Sequence, residues 1–286
     1  MRVGVALLAC ATLLLIPGCA PTRSADLPEG VTVSVYQSRS GLAERRLQVS
    51  VHNESGVDLE IDGLVFESEQ FVEPAVWAKD STTIAAGRTV SLPVALPRAR
   101  CGDDVPAATA TIDFRLPDGA SGSARLRAVD SFERMPRLAA EDCLARSAAR
   151  LATITAGTLP RVETVAGTLV ARLDLRVEPK DAEEKVGALV IDEALGTVLL
   201  SLADPADGSR TTRQPVALTV DGRSPTSAVS LTLVPARCDP HAIAEDKRGT
   251  VFPLRVSVAG TSGTVYVAAD DTVKAALFDF VRTACT

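Results

Sequence analysis

Aromatic side chains are scarce in this chain. Its 286 residues include one Trp, two Tyr and seven Phe, 3% in all. Carbohydrate sites stack sugar rings on aromatic platforms, and tight protein interfaces draw their anchors from Trp and Tyr. So few rings argue against a sugar-binding module and against a single very tight interface. Histidine is scarcer, with only His52 and His241. Basic residues form no stripe and the net charge is −6, so nucleic acid is not an expected partner. The chain has no His-Glu-x-x-His pair, no Gly-x-Ser-x-Gly elbow and no phosphate-cradling glycine loop. No catalytic residue, resident metal or cofactor is therefore expected.

The rest of the composition is that of a folded chain, with 46% hydrophobic and 23% charged residues. The N-terminus carries an address. Met1-Arg2 precedes an apolar run from Val3 to Ile16, then Ile16-Pro17-Gly18-Cys19. A positive start, a short apolar stretch and a small residue before the cut are the parts of a secretory signal. A membrane span needs about 20 apolar residues, and this run is shorter. The segment resembles a bacterial lipoprotein signal, with Pro17 where Ala, Ser or Thr is usual. That resemblance implies cleavage after residue 18 and a diacylglyceryl (palmitate-type) anchor on Cys19. The expected layout is a signal peptide at 1–18 and a lipidated Cys19 with a flexible tether at 19–30. Domains follow at 31–150 and 151–286. The tether, Ala20 to Gly30, has two prolines and no periodicity. Fully extended it would reach roughly 36 Å.

Two segments of the chain resemble each other. Leu92, Val94, Leu96, Ala99, Arg100 and Cys101 align with Val229, Leu231, Leu233, Ala236, Arg237 and Cys238. About 18 residues later stand Gly119-Ala-Ser-Gly122 and Gly260-Thr-Ser-Gly263. Each lies between alternating runs and reads as a hairpin. A helical stretch and a second cysteine follow in both. The cysteine separations are 143 − 101 = 42 and 285 − 238 = 47. An internal duplication with bridges Cys101–Cys143 and Cys238–Cys285 accounts for this, and secretion favours disulfides. Cys238-Asp-Pro-His241 has no counterpart in the first repeat, which weakens a zinc reading.

The clearest single element is the last helix. Val273, Ala276, Leu277, Phe280 and Val281 form a helical stripe, with Asp271 and Thr272 as candidate caps. In the first half, Phe132 to Leu151 plays the same part, with Pro136 near its start and a stripe of Ala140, Cys143, Leu144, Ser147 and Leu151. Elsewhere, short alternating runs such as Val31/Val33/Val35 and Leu47/Val49/Val51 alternate with turn signals. The segment Val49-Ser-Val-His-Asn-Glu-Ser-Gly56 resembles the strand and polar turn of bacterial immunoglobulin-like domains. The expected fold is mainly β: two tandem immunoglobulin-like β-sandwich domains from a duplication, each ending in a helix stapled by a disulfide.

His52 reads as a solvated strand-end residue and His241 as a surface loop residue. The acidic pairs Asp103-Asp104, Glu183-Glu184 and Asp270-Asp271 match no twelve-residue calcium loop. The function expected is a membrane-anchored, extracytoplasmic, non-catalytic binding or scaffolding module. Its partners would be the membrane, through the N-terminal lipid, and another envelope protein. The surface expected for that partner is an edge strand or a groove between domains near Leu151–Thr158. Two alternatives are a small-molecule or lipid carrier with an apolar cavity and an extracytoplasmic hydrolase. Cys19→Ala is expected to release the chain from the membrane fraction or arrest its maturation. Retention at the normal level would refute the anchor.

Overall fold

A computed structural model describes residues 23–38, 45–102, 107–181, 187–244 and 248–286. The signal peptide at 1–18, Cys19, Asp103-Asp104 and Glu183-Glu184 lie outside them. The protein is mainly β, as its alternating runs predict.

The first half contains β1 (Val31–Tyr36), β2 (Arg46–Asn53), β3 (Leu59–Ser68), β4 (Ala75–Val76), β5 (Thr82–Ile84), β6 (Arg88–Ala95), β7 (Ala108–Arg115) and β8 (Ser121–Val129). They form one sheet in the order β4-β3-β7-β8-β1-β2-β6, with β5 paired to β3. A short parallel pairing, Val33 with Ala128, joins the two layers. An isolated bridge from Trp77 to Val94 brings the far ends back together. The period-2 residues Val33, Val49, Ile61, Val94 and Ile112 fill one core between the layers.

The second half contains β9 (Ala152–Thr155), β10 (Arg161–Val165), β11 (Thr168–Pro179), β12 (Leu189–Leu195), β13 (Leu200–Ala203), β14 (Arg210–Thr211), β15 (Arg213–Val220), β16 (Ser227–Pro235), β17 (Val251–Val258) and β18 (Thr261–Ala268). Two sheets face each other: β10-β11-β16-β13-β14, with β9 on β11, and β15-β12-β17-β18. Leu173, Leu175, Ile191, Leu231, Leu233, Leu254 and Val256 are fully or almost fully buried between them.

The pairing scheme recurs between halves. The β7–β8 and β17–β18 hairpins are antiparallel. Each first strand pairs with a strand that skips a register step, β3 at Ile61/Gly63 and β12 at Ile191/Glu193. In both Gly-x-Ser-Gly segments the first glycine turns the hairpin, with φ of 84° at Gly119 and 83° at Gly260, which favour glycine. The second glycine sits in a strand and permits close approach. A Cβ on Gly263 would lie 2.6 Å from Leu144 Cδ2, and one on Gly122 would overlap the Ala25 carbonyl.

Ala25 belongs to the stretch expected to be a free tether. Here Ser24 bridges Ser121 in parallel. The Ala25 N–H donates to the Ser121 carbonyl at 2.9 Å, and the Ser121 N–H to the Arg23 carbonyl at 2.9 Å. Ala25 and Leu27 pack on the first core. From Arg23 onward the chain is therefore docked.

Three helices are described: α1 (Arg134–Leu151), α2 (Pro240–Ala244) and α3 (Asp271–Ala284). The cap of α3 is Asp270, whose carboxylate accepts the Val273 N–H at 2.8 Å. Asp271 and Thr272, expected to cap, lie in the first turn. Val273, Leu277, Phe280 and Val281 are buried as the stripe predicts.

The first-half helix differs more. Phe132 lies outside it and is 72% exposed. The start is held by Asp130, whose carboxylate accepts the N–H groups of Arg134 (2.9 Å) and Met135 (2.7 Å). Ala140 is exposed rather than part of a stripe. The buried residues form two groups. Met135, Leu138 and Ala139 pack into the first core, and Leu144, Ala148 and Leu151 into the second. At 3.6 residues per turn these groups point in roughly opposite directions. A helix buried on opposite sides at its two ends presents no single stripe. In the stretch Leu151–Thr158, expected beside a groove between domains, Thr155, Gly157 and Thr158 are exposed. Leu151 and Ala152 are buried, and Ala156 bridges Ala269 in parallel.

Leu144→Ala should cost about 2–5 kcal/mol, the range for buried leucines. Trp77, the only tryptophan, reports on the first core. Because α1 serves both cores, the denaturation midpoint read by Trp77 fluorescence should fall with this second-core change. An unmoved Trp77 midpoint would mean that the halves unfold independently.

Candidate functional site

A surface groove of about 810 Å³ lies in the first half, at the end of the sheet where β3 finishes and β7 begins. One wall is Glu67 to Pro74, the other Ala107, Thr109 and Arg125, and Arg100 to Gly102 form the floor. The first wall is bound to the floor along its backbone. Phe71 bridges Ala99, the Val72 N–H donates to the Arg98 carbonyl (3.0 Å), and the Arg100 N–H to the Gln70 carbonyl (2.7 Å). The Arg100 guanidinium adds donations to the Phe71 carbonyl at 2.9 Å and the Val72 carbonyl at 3.4 Å. An arginine spent on main-chain carbonyls rigidifies the loop.

Across the groove, Arg125 donates to Thr109 Oγ1 at 3.1 Å and pairs with Glu67 at 3.2 Å. Glu69 and Glu73 add carboxylates, and Val72, 41% exposed, adds an apolar surface. Gln70, beside the groove, is one of five described side chains with a buried polar atom that has no partner among the described residues. The residue is only 5% exposed, and the atom is its side-chain oxygen. A buried orphan acceptor costs about 1–3 kcal/mol.

The first disulfide fixes the floor. Cys101 and Cys143 are bonded, with Cα atoms 5.6 Å apart. Arg146 on α1 donates to the Ala99 carbonyl at 2.6 Å and contacts both sulfurs. Asp142 accepts the Ala99 N–H at 3.1 Å and pairs with Arg45. The second disulfide, Cys238 to Cys285, has its Cα atoms 5.4 Å apart and ties α3 to the segment after β16.

The histidines are elsewhere. His241 is exposed, its N–H bonded to Asp239 at 2.9 Å. His52 joins a row on the outer face of β2 and β6. Its Nδ1 is 2.8 Å from Thr89 Oγ1 and its Nε2 is 3.1 Å from Glu54. The residue types match a hydroxyl–imidazole–carboxylate relay. However, the row lies on an open sheet face, with the Glu54 side chain 70% exposed. There it lacks the dry, preorganised surroundings that make such a relay effective. Asp207 and Asp221 titrate below the usual aspartate range. Asp207 is held by Ser209, and Asp221 by the Arg223 N–H and the Ser224 hydroxyl. Both sit in their own turns, away from the groove. Among the described residues no cluster of three His, Cys, Asp or Glu could hold a metal ion.

Sequence reasoning noticed Arg100 and Cys101 as a repeated motif but missed the groove. The signal was the same dipeptide, read for its cysteine rather than its arginine.

No protein-family model matches the chain, and no curated protein matches it. Among solved structures it is similar to the YadV chaperone, at 9% identity and a TM-score of 0.23, covering 82% of this chain and 98% of that one. It is also similar to the CupB2 chaperone of Pseudomonas aeruginosa (13%, 0.23, 80% and 94%). A third is the CsuC–CsuE chaperone–tip adhesion subunit complex of Acinetobacter baumannii (12%, 0.21, 84% and 100%). Likeness at these scores is too slight to argue from.

Replacing Gln70 by Leu keeps the volume close and removes the orphan acceptor. Thermal or chemical denaturation should find this variant more stable by about 1 kcal/mol. A loss of stability would mean that the amide is already satisfied.

Proposed function

We propose that the protein is a lipid-anchored, extracytoplasmic binding module without catalysis, and that it takes another envelope protein in the groove beside Cys101–Cys143. The observation that carries the reading is the groove's braced floor, where Ala99 is held by α1, Arg100 by main-chain carbonyls and Cys101 by a disulfide. Such a floor lowers the ordering cost of binding. The groove combines exposed Val72 with the carboxylates of Glu69 and Glu73, which favours a polypeptide surface of complementary positive charge.

The two disulfides fit an oxidising, extracytoplasmic compartment, and no described helix is long and apolar enough to cross a membrane. In this reading Cys19 carries the lipid, and the halves at 31–150 and 151–286 are duplicated domains that share α1. The recurring hairpins, register skips and cysteine pairs support the duplication. With the chain docked from Arg23, only residues 20–22 link the anchor to the body, a reach of about 10–13 Å. Ser121, where the docked segment attaches, is at the far end of the β7–β8 hairpin from the groove. The groove would open away from the membrane, toward soluble or cell-wall partners.

A photo-cross-linking amino acid at Val72 should capture one envelope protein in intact cells, and the Glu69→Lys/Glu73→Lys variant should weaken that adduct. Equal labelling from Val198, an exposed residue in the other half, would refute the groove as the site.

A further inference from the structure

Among the described residues, most sheet edges are closed or blunted. In the first half the ends of the sheet meet at Trp77 and Val94. In the second half, α1 packs along β18, and β14 has two residues. The edge strand β15 is broken by Pro215 and by Ala217, whose φ is 52°, with a register skip against β12. Proline and bulges are the usual devices against unwanted pairing.

β10 has neither device. It pairs regularly with β11 from Arg161↔Arg172 to Val165↔Thr168, and it ends the six-stranded sheet. Val162 is 51% exposed and Leu159, just before the strand, 57%. Its sequence is Arg-Val-Glu-Thr-Val. In an antiparallel self-pairing centred on Val162, Val162 faces Val162 of a second copy. Arg161 then faces Glu163 of that copy, and Glu163 faces its Arg161. Residues 161 and 163 share one face of the strand, so both ion pairs form on the same side. Within one chain Glu163 already pairs with Arg172, and Arg161 with Asp174 at 3.5 Å. The second copy would extend this alternation of charge across the joint.

We propose that the β10 edge is a homotypic interaction surface, joining two copies of this chain into one continuous sheet. The occupant is a second copy because a shift of one residue loses both charge pairs and the apolar match, whereas this register satisfies all three at once. Cross-strand opposite charges favour such pairing and like charges oppose it. A five-residue edge is small beside the area of a stable dimer, so the association is reversible and is best trapped covalently. The proposal is independent of the groove.

The test uses the full chain carrying Val162→Cys and a short bis-maleimide. Covalent dimer should form well above the level from Val198→Cys. Adding Arg161→Glu, or adding Glu163→Arg, should each lower the yield about tenfold by setting like charges opposite each other. Mixing those two chains should restore it, because each then meets its opposite sign. Circular dichroism checks that each variant is folded. A Val162→Cys yield no higher than the control would overturn the proposal. So would a mixture that cross-links no better than either chain alone.

Discussion

The structure depends on one helix belonging to two cores. Met135, Leu138 and Ala139 complete the first interior, and Leu144, Ala148 and Leu151 complete the second. Burying a large apolar side chain contributes about 1.5–3 kcal/mol, and α1 divides such contributions between interiors that otherwise share no strand. The opposed faces leave no rotation of α1 that satisfies one core without the other. Gly263 follows from the same constraint, since Leu144 needs the space that a side chain there would fill. Polar contacts continue the first-half face beyond its apolar residues: Asp142 and Arg146 hold Ala99 from either side of its peptide.

That second contact links architecture to the groove. Ala99, Arg100 and Cys101 are consecutive, and each is held by a different means. Ala99 is held by α1, Arg100 by the loop it braces, and Cys101 by a covalent bond. The floor is therefore more constrained than a surface loop usually is. A rigid floor lowers the ordering cost of binding.

Sequence patterns revealed the parts governed by local periodicity. The alternating valines and leucines lie in strands with their apolar faces inward, α3 buries its stripe, and the Gly-x-Ser-Gly segments bound hairpins. What the patterns hid was set by tertiary contact. The stripe read in α1 averaged two opposed faces into one that does not exist, so Ala140 was expected inside and is exposed. The segment near Ser24 looked free because its composition is that of a linker, and its docking depends on Gly122, a hundred residues away. The groove arises where three separated segments meet, none of which has a chemical signature alone. His52, expected in solvent, is half-exposed, with Nδ1 hydrogen-bonded to Thr89 and Nε2 3.1 Å from a Glu54 carboxylate oxygen.

The Cys101–Cys143 bridge also sets how the molecule carries load. A pull between its N-terminus and its second half reaches Cys101 and crosses the sulfur bond directly to α1. The hairpin β7–β8 lies outside that path and cannot be drawn out while the bond is intact. The docked segment at Ser24 and the strands β1 to β6 remain within that path. Mechanically, the bridge removes the residues between Cys101 and Cys143 from the extensible length of the first half, and reduction restores them.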